Sequence, residues 1–195
     1  MVAVTVAVVV TVQWLLDTPS QSEAAPAAGS TLPGSPGATP PVGAAPSVSL
    51  SPTDIAFIEL MIPMNERALP LLDLLVDGSV AADLRDAAVM LLRSYPDETA
   101  QLRAALEAGG VAEQGLHAGM DMPGYVTVDQ LARVEAGSDR DTVAREVLCW
   151  HLNQSLRVAQ AEVDNGSDPA VRTVAQSMVE LRATTVAALR CRQGG

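Results

Sequence analysis

Two histidines and several methionines are the side chains of this sequence best suited to binding a metal. The segment His117-Ala-Gly-Met120-Asp-Met122 places one imidazole and two thioethers within six residues. Soft ligands of this kind suit Cu(I). The competing interpretation is that the methionines fill gaps in a core and that His117 is a solvated loop residue. The residue types therefore indicate a copper site without requiring one.

Other kinds of site find less support in the residue spacing. A di-iron centre in a helical bundle needs Glu-x-x-His motifs, and none occurs in this sequence. Glu59 and Glu146 are interpreted instead as acids near helix starts, where negative charge is favourable. Cys149 and His151 are two residues apart and would point to different faces of a helix. Because a glycine-rich phosphate loop is also absent, we predict that the protein is not an enzyme.

The sequence contains two cysteines, Cys149 and Cys191, and two cysteines in an exported protein invite a disulfide. In an antiparallel hairpin that turns near Gly166, however, Cys149 would face roughly position 183. The remaining eight residues of helix span about 12 Å, which exceeds the reach of a disulfide. The spacing favours a buried thiol at Cys149 and an exposed one at Cys191, unless the tail of the chain folds back.

The charge balance limits the classes of partner. The chain has 12 basic and 23 acidic residues, which gives a net charge of −11. A protein that neutralises phosphates needs clustered Lys and Arg, whereas here the basic residues are scattered among acids along the sequence. We therefore expect no nucleic-acid partner. The same balance argues against an electrostatic grip on anionic lipid.

The helices that must position these residues follow from an internal repeat. Residues 54–103, shifted by 87 positions, align without a gap on residues 141–190 with ten identities. Self-similarity at a fixed period indicates one structural unit built twice. Arginines recur in the two halves, and we interpret them as solvated or ion-paired rather than as a shared ligand site: Arg85 and Arg172, Arg103 and Arg190.

Composition, apolar spacing and helix breakers predict an all-α fold. We predict four long helices and a short one in the connection, over residues 52–77, 80–108, 128–135, 140–165 and from 169 onward. The turns within each half are short, so helices that follow one another must be antiparallel. The prediction is a four-helix bundle made from two repeated antiparallel hairpins. The domain spans residues 51–191, with halves of about 51–108 and 138–191 and a linker over 109–137.

The first 50 residues differ in composition from the rest. Residues 1–17 carry no charge before Asp17 and predict a membrane anchor or a signal segment. The apolar run is short for a spanning helix and lacks the basic residues of a signal peptide, and a true start upstream of Met1 would explain both. Residues 18–50, rich in Pro, Ala, Gly and Ser, predict a disordered linker. We therefore expect an extracytoplasmic domain of the cell envelope, anchored to the cytoplasmic membrane by its N-terminus.

Three stretches of the sequence resemble the bacterial family named domain of unknown function 305. Asp54 to Pro63, which reads DIAFIELMIP, is similar to the opening helix of that family. Asp121 to Thr127, DMPGYVT, resembles its Met-Pro-Gly-Met linker, and Trp150 to Ala159 is similar to its third helix. The resemblance covers about residues 51–191 and implies a ferritin-like, duplicated four-helix fold.

The departures from the family pattern concern its histidines. Members of the family carry a His-His pair in each half, and some are linked to periplasmic copper handling. The corresponding positions here are Met64-Asn65 and His151-Leu152, so three of the four histidines are absent. The resemblance thus implies a divergent member whose candidate metal ligands are His151, His117, Met120, Met122 and Met64.

Taken together, these features predict an envelope-tethered, non-catalytic helical bundle with a binding or structural role and a degenerate metal site. The alternative is a periplasmic copper-binding protein that uses the residual His and Met ligands. We expect no cofactor under the first hypothesis and copper under the second. The expected partners are the membrane, through the N-terminal segment, and a second copy of the chain or another envelope protein.

Overall fold

The structure is a computed structural model that describes residues 49–117, 119–137 and 139–192. The predicted anchor or signal segment, residues 1–17, lies outside the described residues, and so does the predicted linker up to position 48. Within the described ranges, no helix is both long and apolar enough to cross a membrane.

The described residues form five α-helices. They are α1 (Pro52–Asp77), α2 (Ala82–Ala108), α3 (Val128–Ala136), α4 (Arg140–Asn165) and α5 (Pro169–Ala188). The five predicted helices are confirmed. α2 begins two residues later than predicted because the N–H of Val80 still donates to the carbonyl oxygen of Gly78 in the turn.

Side-chain caps explain where the first and last helices begin. Ser51 and Asp54 form a capping box in which the Ser51 hydroxyl accepts from the Asp54 N–H at 3.2 Å and the Asp54 carboxylate accepts from the Ser51 N–H at 2.6 Å. Asp168 caps α5 by accepting two N–H groups of its first turn. Asp54 also accepts the N–H groups of Ser167 and Asp168, so one carboxylate ties the start of α1 to the turn before α5.

The four long helices form an antiparallel bundle. α1 contacts α2 and α4, and α5 contacts the same two helices, while α3 packs on α4. The direction of α1 relative to α4 is fixed at one end by Arg140, whose guanidinium donates to the carbonyl oxygen of Leu74 at 2.9 Å. The predicted all-α four-helix bundle of two repeated hairpins is confirmed.

Two apolar clusters fill the two ends of the bundle. One contains the later part of α1, the earlier parts of α2 and α4 and the end of α5. The other contains the opposite halves of the same helices together with Tyr125. Each helix changes from one cluster to the other at a buried polar residue, and these four residues are Asn65, Glu98, Ser155 and Arg182. The middle of the bundle is therefore polar.

The edge of the domain lies slightly before the predicted boundary. Leu50, which we assigned to the linker, packs against the second apolar cluster. A Cβ atom at Gly109 would lie 2.9 Å from Leu50 Cγ, so the absence of a side chain at Gly109 lets Leu50 approach the end of α2.

The chain folds back after α5, and this reversal joins the two cysteines. Arg190 adopts a left-handed conformation with φ of 53°, and the N–H of Cys191 donates to the carbonyl oxygen of Val186 at 3.0 Å. This pairing is typical of a Schellman helix end. Cys191 forms a disulfide with Cys149 across a Cα–Cα distance of 5.4 Å. The prediction of two free thiols was wrong because the tail reverses direction beside α4.

Candidate functional site

A buried ion pair between Arg182 and Glu98 occupies the centre of the bundle. Arg182, on α5, is 0% exposed. Its Nη1 and Nη2 donate to the two carboxylate oxygens of Glu98, on α2, at 2.8 and 2.7 Å. This bidentate geometry is the strongest form of an arginine–carboxylate pair. The pair joins α2 to α5 at the boundary between the two apolar clusters.

Two further polar side chains complete the network. Asn65 on α1 accepts from Arg182 Nη2 at 2.9 Å and donates its amide to Glu98 Oε2, also at 2.9 Å. Ser155 on α4 accepts from Arg182 Nε at 3.2 Å. Each of the four long helices thus contributes one residue. A buried charge is costly unless it is paired and hydrogen-bonded. Arg182 can remain in the core because Glu98, Asn65 and Ser155 accept hydrogen bonds from its guanidinium.

His151 lies next to the network and has both ring nitrogens engaged. Its Nδ1 is 2.9 Å from the carbonyl oxygen of Gly124, and its Nε2 is 2.8 Å from the hydroxyl of Tyr95. A carbonyl oxygen only accepts, so Nδ1 carries the proton and Nε2 accepts from the tyrosine. Burial lowers the pKa of His151 to about 4, and burial also raises the pKa of Tyr95. Both side chains are therefore neutral at pH 7.

Gly124 reaches His151 because it has no side chain. Its φ is 90°, and a Cβ atom there would lie 2.5 Å from Gln154 Cβ on α4. The same Cβ would lie 3.4 Å from the terminal methyl of Met64, so Met64 and His151 both lie beside Gly124. Only glycine combines the positive φ with this close approach to the helix.

The rest of the connection between the two halves is held by Glu59 and Arg67. The Glu59 carboxylate accepts the N–H groups of residues 114 and 115 at 2.7 and 2.9 Å. Arg67 donates to the carbonyl oxygen of Met120 at 3.1 Å and lies over the ring of Tyr125 at 4.8 Å. The interpretation of Glu59 as an acid favoured by a helix start was wrong, because its carboxylate turns away to bind the loop.

The five predicted metal ligands lie in different surroundings. Met64 and His151 are fully buried, whereas Met120 is 53% exposed. Met122 is half-buried against the second apolar cluster. His117 is half-buried as well, and its Nδ1 is buried without a hydrogen-bond partner among the described residues. Met64 and His151 thus both lie beside Gly124, and a metal site at the loop residues His117, Met120 and Met122 stays a prediction.

The side chains at the bundle centre do not fit a metal site. The Nε2 lone pair of His151 accepts from Tyr95, and both oxygens of Glu98 accept from Arg182. The positive charge of the Arg182 guanidinium therefore lies where a metal ion bound to Glu98 would have to lie. In the part of the chain that the structure describes, no three His, Cys, Asp or Glu side chains are grouped to hold a metal ion. Asn65 and His151 stand at positions of the histidine pairs in the family pattern. Here their side chains form hydrogen bonds within the bundle, to Glu98 and to the backbone of Gly124, rather than facing a metal site.

The residues that form this network were missed in the sequence, although two signals mark them. Arg182 lies four residues from Met178 and from Val186, and Glu98 lies four residues from Leu102, so both charges stand on apolar stripes. Such positions are rarely charged unless the charge is paired inside the protein. The 87-residue shift also relates Tyr95 to Arg182, whose Cζ lies 4.9 Å from the centre of the Tyr95 ring.

A second buried polar group lies near the start of α1. Glu162 on α4 is 1% exposed, and no N–H or O–H of the described residues donates to its carboxylate oxygens, whereas its protonated form hydrogen-bonds to Asp54. Burial and the neighbouring carboxylate of Asp54 raise the pKa of Glu162 to about 8. Burial opposes ionisation of Asp54 as well, but hydrogen bonds from Ser51, Ser167 and Asp168 lower its pKa to about 2. Two adjacent carboxyl groups thus hold one charge at pH 7.

Comparisons with known proteins agree with this architecture. The model of the family described as domain of unknown function (DUF305) matches residues 54–191. No curated protein matches the chain. Two of the solved structures similar in fold are 16% identical to this chain, and they show the fold alone. One is a DUF305 fragment from Deinococcus radiodurans, with a TM-score of 0.61, 16% identity and coverage of 73% of this chain and 95% of that one.

The other similar structure is a DUF305 protein from Streptomyces coelicolor whose name describes it as secreted. Its TM-score is 0.58 at 16% identity, and the match covers 73% of this chain and 96% of that one. The matched family segment contains the two repeated hairpins, the connection and all the buried polar residues described above. The chain belongs to the DUF305 family.

Proposed function

We propose that this protein is a non-catalytic, extracytoplasmic helical-bundle module with a binding or structural role, in which the metal site of the family is degenerate. The observation that carries the proposal is the Arg182–Glu98–Asn65 network. In this network, the positively charged guanidinium of Arg182 lies in the middle of the bundle. Residues 1–17 and 18–50 would act as the anchor and the tether that hold the bundle at the cytoplasmic membrane.

The charge of Arg182 argues against a cation at the same place. A guanidinium cannot be deprotonated in a protein, so its positive charge is permanent. A metal ion bound by Glu98 would have to displace Arg182, which would then be buried without its partner. Leaving a buried charge unpaired costs about 3–5 kcal/mol. The network therefore competes with any metal for the one carboxylate that the bundle centre offers.

An extracytoplasmic location is supported by two observations. The similar structure from Streptomyces coelicolor belongs to a protein whose name describes it as secreted. Independently, Cys149 and Cys191 are joined in this chain, and disulfides persist mainly in oxidising compartments.

The alternative is a copper-binding protein, and two contacts favour it. Met64 and His151 both lie beside Gly124, and the Nδ1 atom of His117 is buried without a partner among the described residues. A Cu(I) ion needs only two or three soft ligands. The loop ligands His117, Met120 and Met122 could supply them without disturbing the ion pair.

A Cu(I) titration of the full chain against a competing chromogenic chelator separates the two proposals. We expect no stoichiometric binding of submicromolar affinity, because the bundle centre is occupied and the loop offers one exposed thioether. The parent protein is compared with His117→Ala, His151→Ala and Met120→Ala. Met90→Ala, which removes an exposed methionine from α2, is the matched control.

The proposal of a degenerate site is overturned by stoichiometric, submicromolar Cu(I) binding that His117→Ala or Met120→Ala abolishes and Met90→Ala leaves intact. Loss of binding in His151→Ala as well would extend the copper site to the buried histidine. If binding is equally weak in the parent and in all variants, the degenerate-site proposal stands.

A further inference from the structure

A groove beside α4 gathers arginines that are dispersed along the sequence. It has a volume of about 850 Å³ and lies between α3, α4 and the tail that follows α5. Five of the chain's arginines line it, against two acidic residues, Asp141 and Glu146. This local excess of positive charge stands out in a chain whose net charge is −11. Basic residues that are scattered along the sequence are therefore gathered on this face of the protein.

Four of these arginines have guanidinium groups that remain available. Arg145 is already bound, because it pairs with Asp83 at 2.9 Å and donates to a backbone carbonyl oxygen. The other four make no side-chain hydrogen bond or ion pair with any residue in the described ranges, and they are Arg133, Arg157, Arg190 and Arg192. By contrast, Arg103, which lies outside the groove, pairs with the carboxylates of Glu66 and Glu113.

The disulfide holds two of the four arginines, Arg190 and Arg192, at the groove. Cys191 lies between Arg190 and Arg192, and its bond to Cys149 holds this tail against α4. The carbonyl oxygen of Arg192 also accepts from the Asn153 side chain at 3.1 Å. The left-handed turn at Arg190 and the disulfide thus bring the tail arginines to the same groove as Arg157.

The groove also offers a flat apolar surface. Trp150 of α4 and the disulfide line it together with the arginines, and Trp150 is half-buried. An aromatic side chain in the same groove as guanidinium groups suits a ligand that has both charged groups and a carbon skeleton. The volume lies in the range that small-molecule sites occupy, about 300–1,000 Å³.

We propose that this groove, defined by Arg133, Arg157, Arg190, Arg192 and Trp150, binds a small organic polyanion with at least two carboxylate or phosphate groups. Guanidinium groups bind both kinds of anion through paired N–H donors. The negative charges elsewhere on the protein weaken the attraction only in part, because at 0.1 M salt charges more than about 10 Å away are screened. The site is separate from the bundle centre, so the inference holds whether or not the protein binds copper.

Calorimetric titration of the full chain with citrate and with pyrophosphate tests the proposal. Acetate at equal ionic strength serves as the single-charge comparison. We expect saturable binding of at least one polyanion and none of acetate. The ratio of the two affinities assigns the ligand to the carboxylate or to the phosphate class. Arg157→Gln and Arg190→Gln should each weaken binding at least tenfold, because each removes a charge-assisted hydrogen bond to the anion.

Two controls separate a built site from a general effect of charge. Arg93→Gln removes the same charge from an exposed position on α2 that does not line the groove, and it should leave the affinity unchanged. The Cys149→Ser/Cys191→Ser double variant keeps every arginine but frees the tail. It should weaken binding several-fold, which a site made by α3 and α4 alone would not show.

The proposal is overturned if neither citrate nor pyrophosphate binds at millimolar concentration. It is equally overturned if Arg93→Gln weakens binding as much as Arg157→Gln does, because the interaction would then be non-specific. Circular dichroism of each variant establishes that the bundle remains folded, so that loss of binding is read from folded protein.

Discussion

Arg182 shows how a single charged residue can be retained in an apolar core. It is fully buried, and its donors are used by Glu98, Asn65 and Ser155. The three partners come from the three other long helices, so the guanidinium specifies which helix faces meet. A buried ion pair contributes little net stability compared with an apolar pair, but breaking it on one side only is costly.

Glu98→Leu should therefore lower the free energy of unfolding by about 3–5 kcal/mol, because Arg182 would remain buried without its counter-charge. The double variant Glu98→Leu/Arg182→Met should recover most of that loss. Urea denaturation of the full chain at pH 7 measures both. Asp83→Asn, which breaks the exposed pair with Arg145, is the control and should cost no more than about 1 kcal/mol. A double variant as unstable as Glu98→Leu would contradict this account.

Glu162 should make stability depend on pH above neutrality. Its pKa is raised from 4.5 to about 8 in the folded chain. The folded state therefore holds a proton that the unfolded state releases. That contribution is fully present below pH 4.5 and is lost as the pH rises through 8. His151 has the opposite effect on stability, because its pKa is lowered from 6.5 to about 4 in the folded chain. Its contribution to the free energy of unfolding is present above pH 6.5 and is lost as the pH falls toward 4.

Comparing Glu162→Gln with the parent between pH 6.5 and pH 9 isolates Glu162, because both proteins contain His151 and its contribution cancels in the difference. Relative to the parent, Glu162→Gln should become more stable by about 1–3 kcal/mol as the pH rises from 6.5 to 9, because the parent loses its Glu162 proton through a pKa of about 8 and each pH unit of that loss costs about 1.4 kcal/mol. Urea denaturation at a series of pH values provides the comparison. Glu107→Gln, at an exposed position of α2, should follow the parent. A constant difference between Glu162→Gln and the parent across this range would refute the prediction.

The connection between the two hairpins is the element that most needs tertiary contacts to define it. Over residues 109–127 it is tied down by Glu59, Arg67 and the hydrogen bond from His151 to Gly124. The helices themselves are better marked in the sequence, since Ser51, Thr127 and Asp168 each cap a helix with their own side chain.

Gly124→Ala should destabilise the connection by at least about 1–3 kcal/mol, because a residue with a Cβ would be strained at this φ. Its Cβ would also overlap Gln154. In proton NMR spectra, the Nδ1 proton of His151 should be sheltered from solvent exchange in the parent and should exchange rapidly in the variant. Gly119→Ala, in the same connection, has no atom within 4 Å of the added Cβ and is the matched control. Equal exchange rates in the two variants would disprove the role assigned to Gly124.

At the scale of the whole molecule, the redox state of the two cysteines tests whether the protein is exported from the cytoplasm. A disulfide that closes across 42 residues is typical of an exported domain. When the full chain is expressed in a bacterial host, we expect it in the envelope fraction, with Cys149 and Cys191 labelled by maleimide only after reduction. A chain recovered intact from the cytosol, with both thiols labelled before reduction, would rule out the extracytoplasmic proposal.

Much of the architecture could be predicted because it depends on local chemistry and on periodicity. Caps, breakers and the 87-residue repeat are properties of neighbouring residues, so the helix boundaries were found to within two positions. The disulfide was mispredicted because it depends on one left-handed residue, Arg190, after the last helix. The centre of the bundle was missed because Arg182 and Glu98 are 84 residues apart, and a charge on an apolar stripe does not reveal which residue it pairs with.

The sequence by itself thus determined the family, the helices and the duplicated hairpin, because each rests on spacing along one chain. Tertiary structure alone decided which polar groups meet. In the folded chain, His151 is hydrogen-bonded to Gly124 and Tyr95, and the carboxylate of Glu98 is paired with Arg182. It also gathered Arg157, Arg190 and Arg192 into one groove. Charges interact through space, and their distances are set by packing and by the reversal of the tail, which residue spacing does not contain.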